Sequence, residues 1–105
     1  MIVISDTSPV NYLLLIGELG VLQALFGKVV LPQAVLRELQ HPLAPPVVRA
    51  WACALPDWIE VRTTTRHAMI DGLGDGEVEA MLLAEELRAD LILMDDGEAR
   101  NVAAQ

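Results

Sequence analysis

Acidic residues stand where strands of this chain are predicted to end. Asp6 follows the apolar run Ile2–Ile4, and Asp95 and Asp96 follow Leu91–Met94. In an open parallel sheet, the carboxyl ends of the strands form the edge at which ligands bind. Carboxylates gathered at one edge repel one another unless a cation holds them together. Mg²⁺ and Mn²⁺ are hard cations that favour oxygen ligands, so the sequence predicts a divalent metal site at this edge.

Asp6 is the first candidate ligand, because the helix after it has another residue to cap it. Ser8 precedes Pro9; Ser is a favoured N-cap and Pro is favoured at the first helical position. Asp6 is then left without a capping role. Thr7, Ser8 and Asn11 either supply secondary hydrogen bonds at the mouth of the site, the sheet edge formed by the carboxyl ends of the strands, or serve only as cap and first-turn residues.

A second acidic position lies on a helix predicted from Pro32 to Gln40. Glu38 follows Ala34 and Val35 by one turn, which places it on or beside the apolar stripe of that helix. A carboxylate at the border of a buried face needs a polar partner. The alternative is an ordinary boundary glutamate whose charged end reaches water.

A third position offers a choice between Glu77 and Glu79, near the start of the helix predicted over Asp75–Arg88. Acids there are favoured by the helix dipole, which is a sufficient structural reason for them. Glu79 stands one turn before Leu83 and flanks the face expected to pack on the sheet, whereas Glu77 flanks its other side. One of the two can point toward the strand ends, and Glu79 is preferred.

The fourth position is the pair Asp95 and Asp96. Neighbouring side chains diverge, so only one of them can point into the mouth. Two adjacent acids at the end of a strand are hard to explain structurally, although Asp96 can cap the last helix. Arg100, four residues later, either pairs with Asp96 or contacts a phosphate group, and the salt bridge is the simpler interpretation.

Composition limits the class of protein. A chain of 105 residues is a single domain, and its one cysteine excludes an internal disulfide and fits a reducing cytoplasm. Its apolar runs are far shorter than the roughly 20 residues that span a bilayer, so no membrane association is expected. The net charge of −8 argues against a nucleic-acid partner. That argument weakens if six acids are metal ligands, because the remaining charge is then −2.

Short apolar runs alternate with longer amphipathic stretches, a pattern typical of βαβ units and a parallel sheet. The chain also ends inside a predicted helix without a Gly or Pro stop signal, which indicates a C-terminal truncation. The predicted strands are Ile2–Ile4, Val29–Leu31, Ile59–Val61 and Leu91–Met94, and the predicted helices are Ser8–Ile16, Val21–Phe26, Pro32–Gln40, Val47–Leu55, Asp75–Arg88 and one that begins near Gly97.

With these residues placed, the chain resembles the PIN-domain nucleases, especially the short single-domain branch that includes VapC-type toxins of toxin–antitoxin pairs. The matching segments are Val3–Ser8 with Asn11, Leu31–Leu39, Gly76–Met81 and Leu91–Arg100. They extend over nearly the whole chain, and the order and spacing of the four acidic positions make the resemblance fairly specific.

The resemblance implies a three-layer α/β/α fold with a central parallel sheet and Mg²⁺- or Mn²⁺-dependent cleavage of RNA. It assigns Asp6, Glu38, Glu79 and Asp96 as the acidic quartet, and it implies that an antitoxin protein can be a partner. The chain departs from the family in two ways. Two of the four positions offer a choice of acid, and the end of the last helix and the closing strand are expected to be missing from the domain formed by residues 1–105.

Other functions fit less well. A receiver-type phosphoacceptor needs an Asp on its third strand, where this chain has Ile59–Val61, and a late Lys, whereas the only lysine is Lys28. A haloacid-dehalogenase-type phosphatase needs a second Asp at the position of Ser8. The strongest rival is an inactive PIN-like fragment that binds a partner protein, since the apolar fraction of 53% is high.

The helix over Asp75–Arg88 also predicts self-association. Val78, Met81 and Leu82 lie on its side away from the face that packs on the sheet. Because one face can pack on the sheet, the other is expected to need a second surface. That surface is a second protomer, making a homodimer, or an antitoxin-like helix.

Overall fold

A computed structural model describes residues 1–64 and 75–94 of the chain. The helix predicted near Gly97 lies outside these residues, as do Asp95, Asp96 and Arg100. In the described part, strands and helices alternate as predicted. The strands are β1 (Val3–Ser5), β2 (Val29–Pro32), β3 (Ile59–Arg62) and β4 (Leu91–Leu93), and the helices are α1 (Thr7–Leu15), α2 (Gly20–Phe26), α3 (Gln33–Leu39), α4 (Pro46–Ala52) and α5 (Asp75–Leu87).

The four strands form one parallel sheet in the order β3-β2-β1-β4. Ile4 at the centre of β1 pairs with Val30 on one side and Ile92 on the other. The chain leaves β1 toward β2 and later returns on the opposite side of β1 as β4. The order therefore reverses between β1 and β4, and the carboxyl ends of these two strands form the crevice in which such sheets bind ligands.

Successive residues of a strand point to opposite faces of the sheet, so these apolar strands present apolar side chains on both faces. Helices cover both faces. Ile4 and Val30 pack with Ala80 and Leu83 of α5 on one face. Val29 and Leu31 point to the other face, where a second core cluster includes residues from α1, α2, α3 and α4. The described chain is thus a three-layer α/β/α domain, as predicted, and the unbroken apolar strands reflect burial on both faces.

The start of α1 differs from the prediction. The helix begins at Thr7, and Asp6 rather than Ser8 occupies the N-cap position. Pro9 is the third helical residue. Proline is accommodated there because backbone N–H groups of the first turn have no partner inside the helix, so the proline removes no helical hydrogen bond. The prediction that Ser8 caps this helix is wrong.

The second apolar side of α5 is also covered differently from the prediction. Val78 is only 7% exposed, and Met81 is partly buried against the core cluster under α5. Helix α3 lies against α5 within the same chain. Val78 therefore needs no second molecule to cover it, whereas Met81 and Leu82 are only partly buried.

Candidate active site

Asp6 lies at the crevice between β1 and β4. Its backbone N–H donates a hydrogen bond to the carbonyl oxygen of Leu93, at 2.9 Å, which continues the pairing of the two strands by one residue. Its side chain is almost fully buried, with the residue 2% exposed. Although Asp6 occupies the N-cap position of α1, its carboxylate makes no capping hydrogen bond to that helix. The carboxylate is therefore not used as the cap of α1.

Glu38 connects three segments that are far apart in the sequence. The hydroxyl of Thr7 donates to Oε2 of Glu38 at 2.5 Å, and the backbone N–H of Gly76 donates to Oε1 at 3.1 Å. Thr7 directly follows Asp6, and Gly76 directly precedes Glu77. The carboxylate of Glu38 on α3 thus contacts the residue after Asp6 and the residue before Glu77.

Gly76, which is not among the predicted site residues, approaches Glu38 closely. A Cβ atom at this position would lie 2.7 Å from Oε1 of Glu38 and 3.1 Å from Cγ2 of Val35. The available signal was a glycine inside the first turn of a helix, where glycine is a poor helix former. Such a glycine indicates that another group comes close to the backbone.

Glu79 contacts the start of α3. The backbone N–H of Ala34 donates to Oε1 of Glu79 across a long distance of 3.4 Å. Ala34 is the second residue of α3, whose first N–H groups have no partner within the helix. Because α3 begins where β2 ends, Glu79 lies near the carboxyl end of β2. It also has a structural role there as a weak cap of α3.

Glu77 remains an alternative to Glu79. Its side chain is half-buried, and its Oε2 atom is shielded from solvent. The charge of Glu77 is therefore kept close to the protein interior, where a carboxylate requires compensation by donors or a cation. The preference for Glu79 as the ligand stays a prediction.

The supporting residues divide into groups. Thr7 is engaged with Glu38 as described, Asn11 is half-buried one turn later on α1, and Ser8 is exposed. Asp95, Asp96 and Arg100 lie outside the described residues. The roles of the two acids as metal ligands, and of Arg100 as a contact to Asp96 or to a phosphate group, stay predictions.

The donor chemistry fits a hard divalent cation, because Asp6 and Glu38 offer only carboxylate oxygens. Within residues 1–64 and 75–94, no three His, Cys, Asp or Glu side chains are grouped so that they could hold a metal ion. Asp6, Glu38, Glu77 and Glu79 all lie in these residues, so the structure does not bring three of them together as metal ligands. Asp95 and Asp96 lie outside the described residues, and their part in such a site stays a prediction.

An apolar cleft of about 480 Å³ lies beside the same sheet edge. Among the described residues, its lining contains no carboxylate. It is lined by Pro9, Tyr12, Leu13, Leu22, Ile92, Leu93 and Met94.

Comparison with protein families agrees with this architecture. The family model described as DUF3368: PIN domain matches residues 2–105. The chain therefore belongs to the PIN-domain family, as its motifs predicted. PIN domains are generally nucleases and typically use divalent metal ions. No curated protein and no solved structure gave a significant match.

The helices in residues 1–64 and 75–94 fall short of what a membrane span requires. None of them is both long enough and apolar enough to cross a bilayer.

Proposed function

We propose that this protein is a metal-dependent endoribonuclease of the PIN type. The observation that carries the proposal is the hydrogen bond between Glu38 and Thr7, because it connects a carboxylate of α3 to the residue that directly follows the buried Asp6 at the crevice of the sheet. In open parallel sheets, the crevice at such a change of strand order is where ligands bind. Membership of the PIN-domain family supports the same reaction class.

The proposed ligands are carboxylates at the four acidic positions. Asp6 and Glu38 hold the ion or ions together with Glu79 or Glu77 and with Asp95 or Asp96, and the ion is Mg²⁺ or Mn²⁺. When bound, it activates a water molecule and stabilises the charge on the attacking and leaving oxygens of a phosphodiester displacement. Thr7 orients the carboxylate of Glu38, and the buried position of Asp6 keeps its carboxylate at the crevice.

The metal also reconciles the charge of −8 with an RNA substrate. Carboxylates gathered at one edge repel a polyanion, and a divalent cation reduces that repulsion where the substrate must approach. Ser8 and Asn11 on α1 and Arg100 are proposed to contribute polar contacts at this mouth.

The proposed biological role is that of a toxin in a toxin–antitoxin pair that acts in the cytoplasm. Membership of the PIN-domain family supports this role. We also propose a homodimer. Its support lies in apolar side chains that α1 and α2 leave in solvent, among them Tyr12 at 61% exposure, Leu15 at 52% and Leu25 at 67%.

The second candidate is an inactive PIN-like fragment that acts as a protein-interaction module. It is favoured by the same exposed apolar side chains and by the fact that the described residues alone do not form a three-ligand group. This candidate predicts partner binding without cleavage of RNA.

An RNA-cleavage assay separates the two candidates. We expect the purified chain to cleave single-stranded RNA with Mn²⁺ and to lose this activity with EDTA or when Asp6 is replaced by Asn. Asp57→Asn is the matched control, because Asp57 is an exposed loop residue remote in sequence from the four acidic positions. A chain that binds Mn²⁺ but cleaves no RNA would favour the interaction module.

A further inference from the structure

Glu38 is held from two sides, although it is an exposed residue with a long flexible side chain. One oxygen accepts from the hydroxyl of Thr7, and the other accepts from the backbone N–H of Gly76. Without such contacts, an exposed glutamate would sample several rotamers, and its carboxylate would have no fixed position. A metal ligand must have that position fixed before the ion arrives.

Gly76 has no conformational reason to be glycine. The glycines with positive φ in the described residues are Gly17 and Gly27, and Gly76 is not among them. Glycine also weakens the helix in which Gly76 is the second residue, since it loses more backbone entropy than alanine on folding. The remaining reason is space. A Cβ atom would lie 2.7 Å from Oε1 of Glu38 and 3.2 Å from its Cδ.

The structure also indicates what would move if a side chain were added. The atom closest to the added Cβ is Oε1 at the end of the Glu38 side chain, which can rotate away without disturbing the backbone. The next contact, with Cγ2 of Val35 at 3.1 Å, requires a shift of a few tenths of an ångström. The carboxylate of Glu38 would therefore leave its place between Gly76 and Thr7 while the fold persists.

We infer that Gly76 is a positioning residue that sets the place of the Glu38 carboxylate, by donating its N–H and by leaving the space that the carboxylate occupies. The expected loss of metal affinity when Gly76 is replaced rests on the proposed function. The contacts that link Gly76, Glu38 and Thr7 are independent of that function.

The test compares Gly76→Ala with Gly20→Ala. Gly20 is the first residue of α2, has no positive φ, and a Cβ atom there would meet nothing within 4 Å. In the metal-free protein, NMR signals of the Thr7 amide and methyl are expected to shift in Gly76→Ala and to stay in place in Gly20→Ala. Calorimetric Mn²⁺ titration is expected to show affinity weakened about 10–100-fold by Gly76→Ala, the usual effect of losing a group that orients a ligand. Gly20→Ala is expected to bind as the parent does.

A shortened carboxylate supplies the test of mechanism. Glu38→Asp withdraws the carboxylate from residue 76, so adding Gly76→Ala to it is expected to cause no further loss of Mn²⁺ affinity and no further shift at Thr7. Such non-additivity is the signature of two residues that act through one contact. A merely structural role of Gly76 would instead lower both properties again when Gly76→Ala is added to Glu38→Asp.

The outcomes separate the inference from the proposed function. If the parent binds Mn²⁺ and Gly76→Ala binds it equally well, the inference is wrong and the proposed function stands. If the parent binds no Mn²⁺, the proposed metal site is wrong, and the Thr7 signals of the metal-free variants still decide the positional link. If Gly76→Ala does not fold, the double variant Gly76→Ala with Glu38→Asp is expected to fold, because the shorter side chain no longer meets the added Cβ. A double variant that also fails to fold would place the clash at Val35 and overturn the inference.

Discussion

The carboxylate of Asp6 makes no capping hydrogen bond, as expected, but the reason given for that expectation was wrong. Asp6 was expected to be free of capping because Ser8 was expected to cap α1. Asp6 occupies that position instead, since Asp and Ser are about equally good N-caps and proline is tolerated within the first turn. Asp6 nevertheless makes no capping hydrogen bond and is nearly buried. Local propensity could not decide this, because it depends on the neighbouring strand β4.

Replacing Asp6 by Asn is expected to abolish nuclease activity and to leave the fold intact or slightly more stable. The amide keeps the shape of the carboxylate and removes one charge from a site where like charges repel. RNA cleavage measures the first effect, and thermal unfolding without metal measures the second. Asp57→Asn should change neither. If Asp6→Asn cleaves RNA as fast as the parent, Asp6 is not a ligand.

The two helices α3 and α5 show what periodicity could and could not predict. The apolar stripes of both were recognisable, and Glu38 lies at the edge of its stripe beside the buried Ala34 and Val35, as expected. Periodicity could not tell that α5 packs against α3 as well as against the sheet. Val78 is buried within the chain, and Glu79 accepts a hydrogen bond at the start of α3. Such packing depends on tertiary structure that spacing alone does not contain.

The structural and functional roles of Glu79 can be separated by substitution. Glu79→Gln keeps an oxygen that can accept from the Ala34 N–H, so it is expected to preserve stability. Glu79→Ala removes this acceptor and is expected to cost at most about 1 kcal/mol, because the bond is long. If Glu79 is the ligand, Glu79→Gln nevertheless lowers Mn²⁺ affinity. The matched variant is Glu77→Gln.

Calorimetric titration and chemical denaturation of these three variants give the two quantities independently. Loss of Mn²⁺ affinity in Glu77→Gln, with parent-like binding in Glu79→Gln, would exchange the roles of the two residues.

At the scale of the whole molecule, the alternation of elements was sufficient to predict a parallel sheet covered on both faces. The strand order was not predicted, because neighbouring elements in sequence need not be neighbours in the sheet. The observed order places β1 between β2 and β4, and this is what puts the buried Asp6 at a ligand-binding crevice. Membership of the PIN-domain family agrees with that arrangement.

The apolar surface of α1 and α2 predicts self-association. Leu15 and Leu25 are 52% and 67% exposed, and contact with a second copy would remove their side chains from water. Sedimentation at tens of micromolar is expected to give about twice the mass of one chain, and Leu15→Arg with Leu25→Arg is expected to give monomers. Leu43→Arg is the control, since Leu43 is 88% exposed outside both helices. A parent chain that sediments as a monomer contradicts the proposed homodimer.

Binding of Mn²⁺ is expected to stabilise the whole domain, because an ion that binds only the folded state shifts the unfolding equilibrium. At a hundredfold excess over Kd, the gain in the free energy of unfolding is about 2.7 kcal/mol. For a domain of this size, the corresponding rise in Tm is roughly 10–20 °C.

Melting curves with EDTA and with millimolar Mn²⁺ measure this rise, and Asp6→Asn should reduce it by weakening the site. Na⁺ at equal ionic strength is the control for general screening of the net charge of −8, which would also stabilise the fold but independently of Asp6. A Tm that is the same in Mn²⁺ and EDTA would argue against a metal site at this sheet edge. The carboxylates would then have to be satisfied by protein donors alone, as Glu38 already is by Thr7 and Gly76.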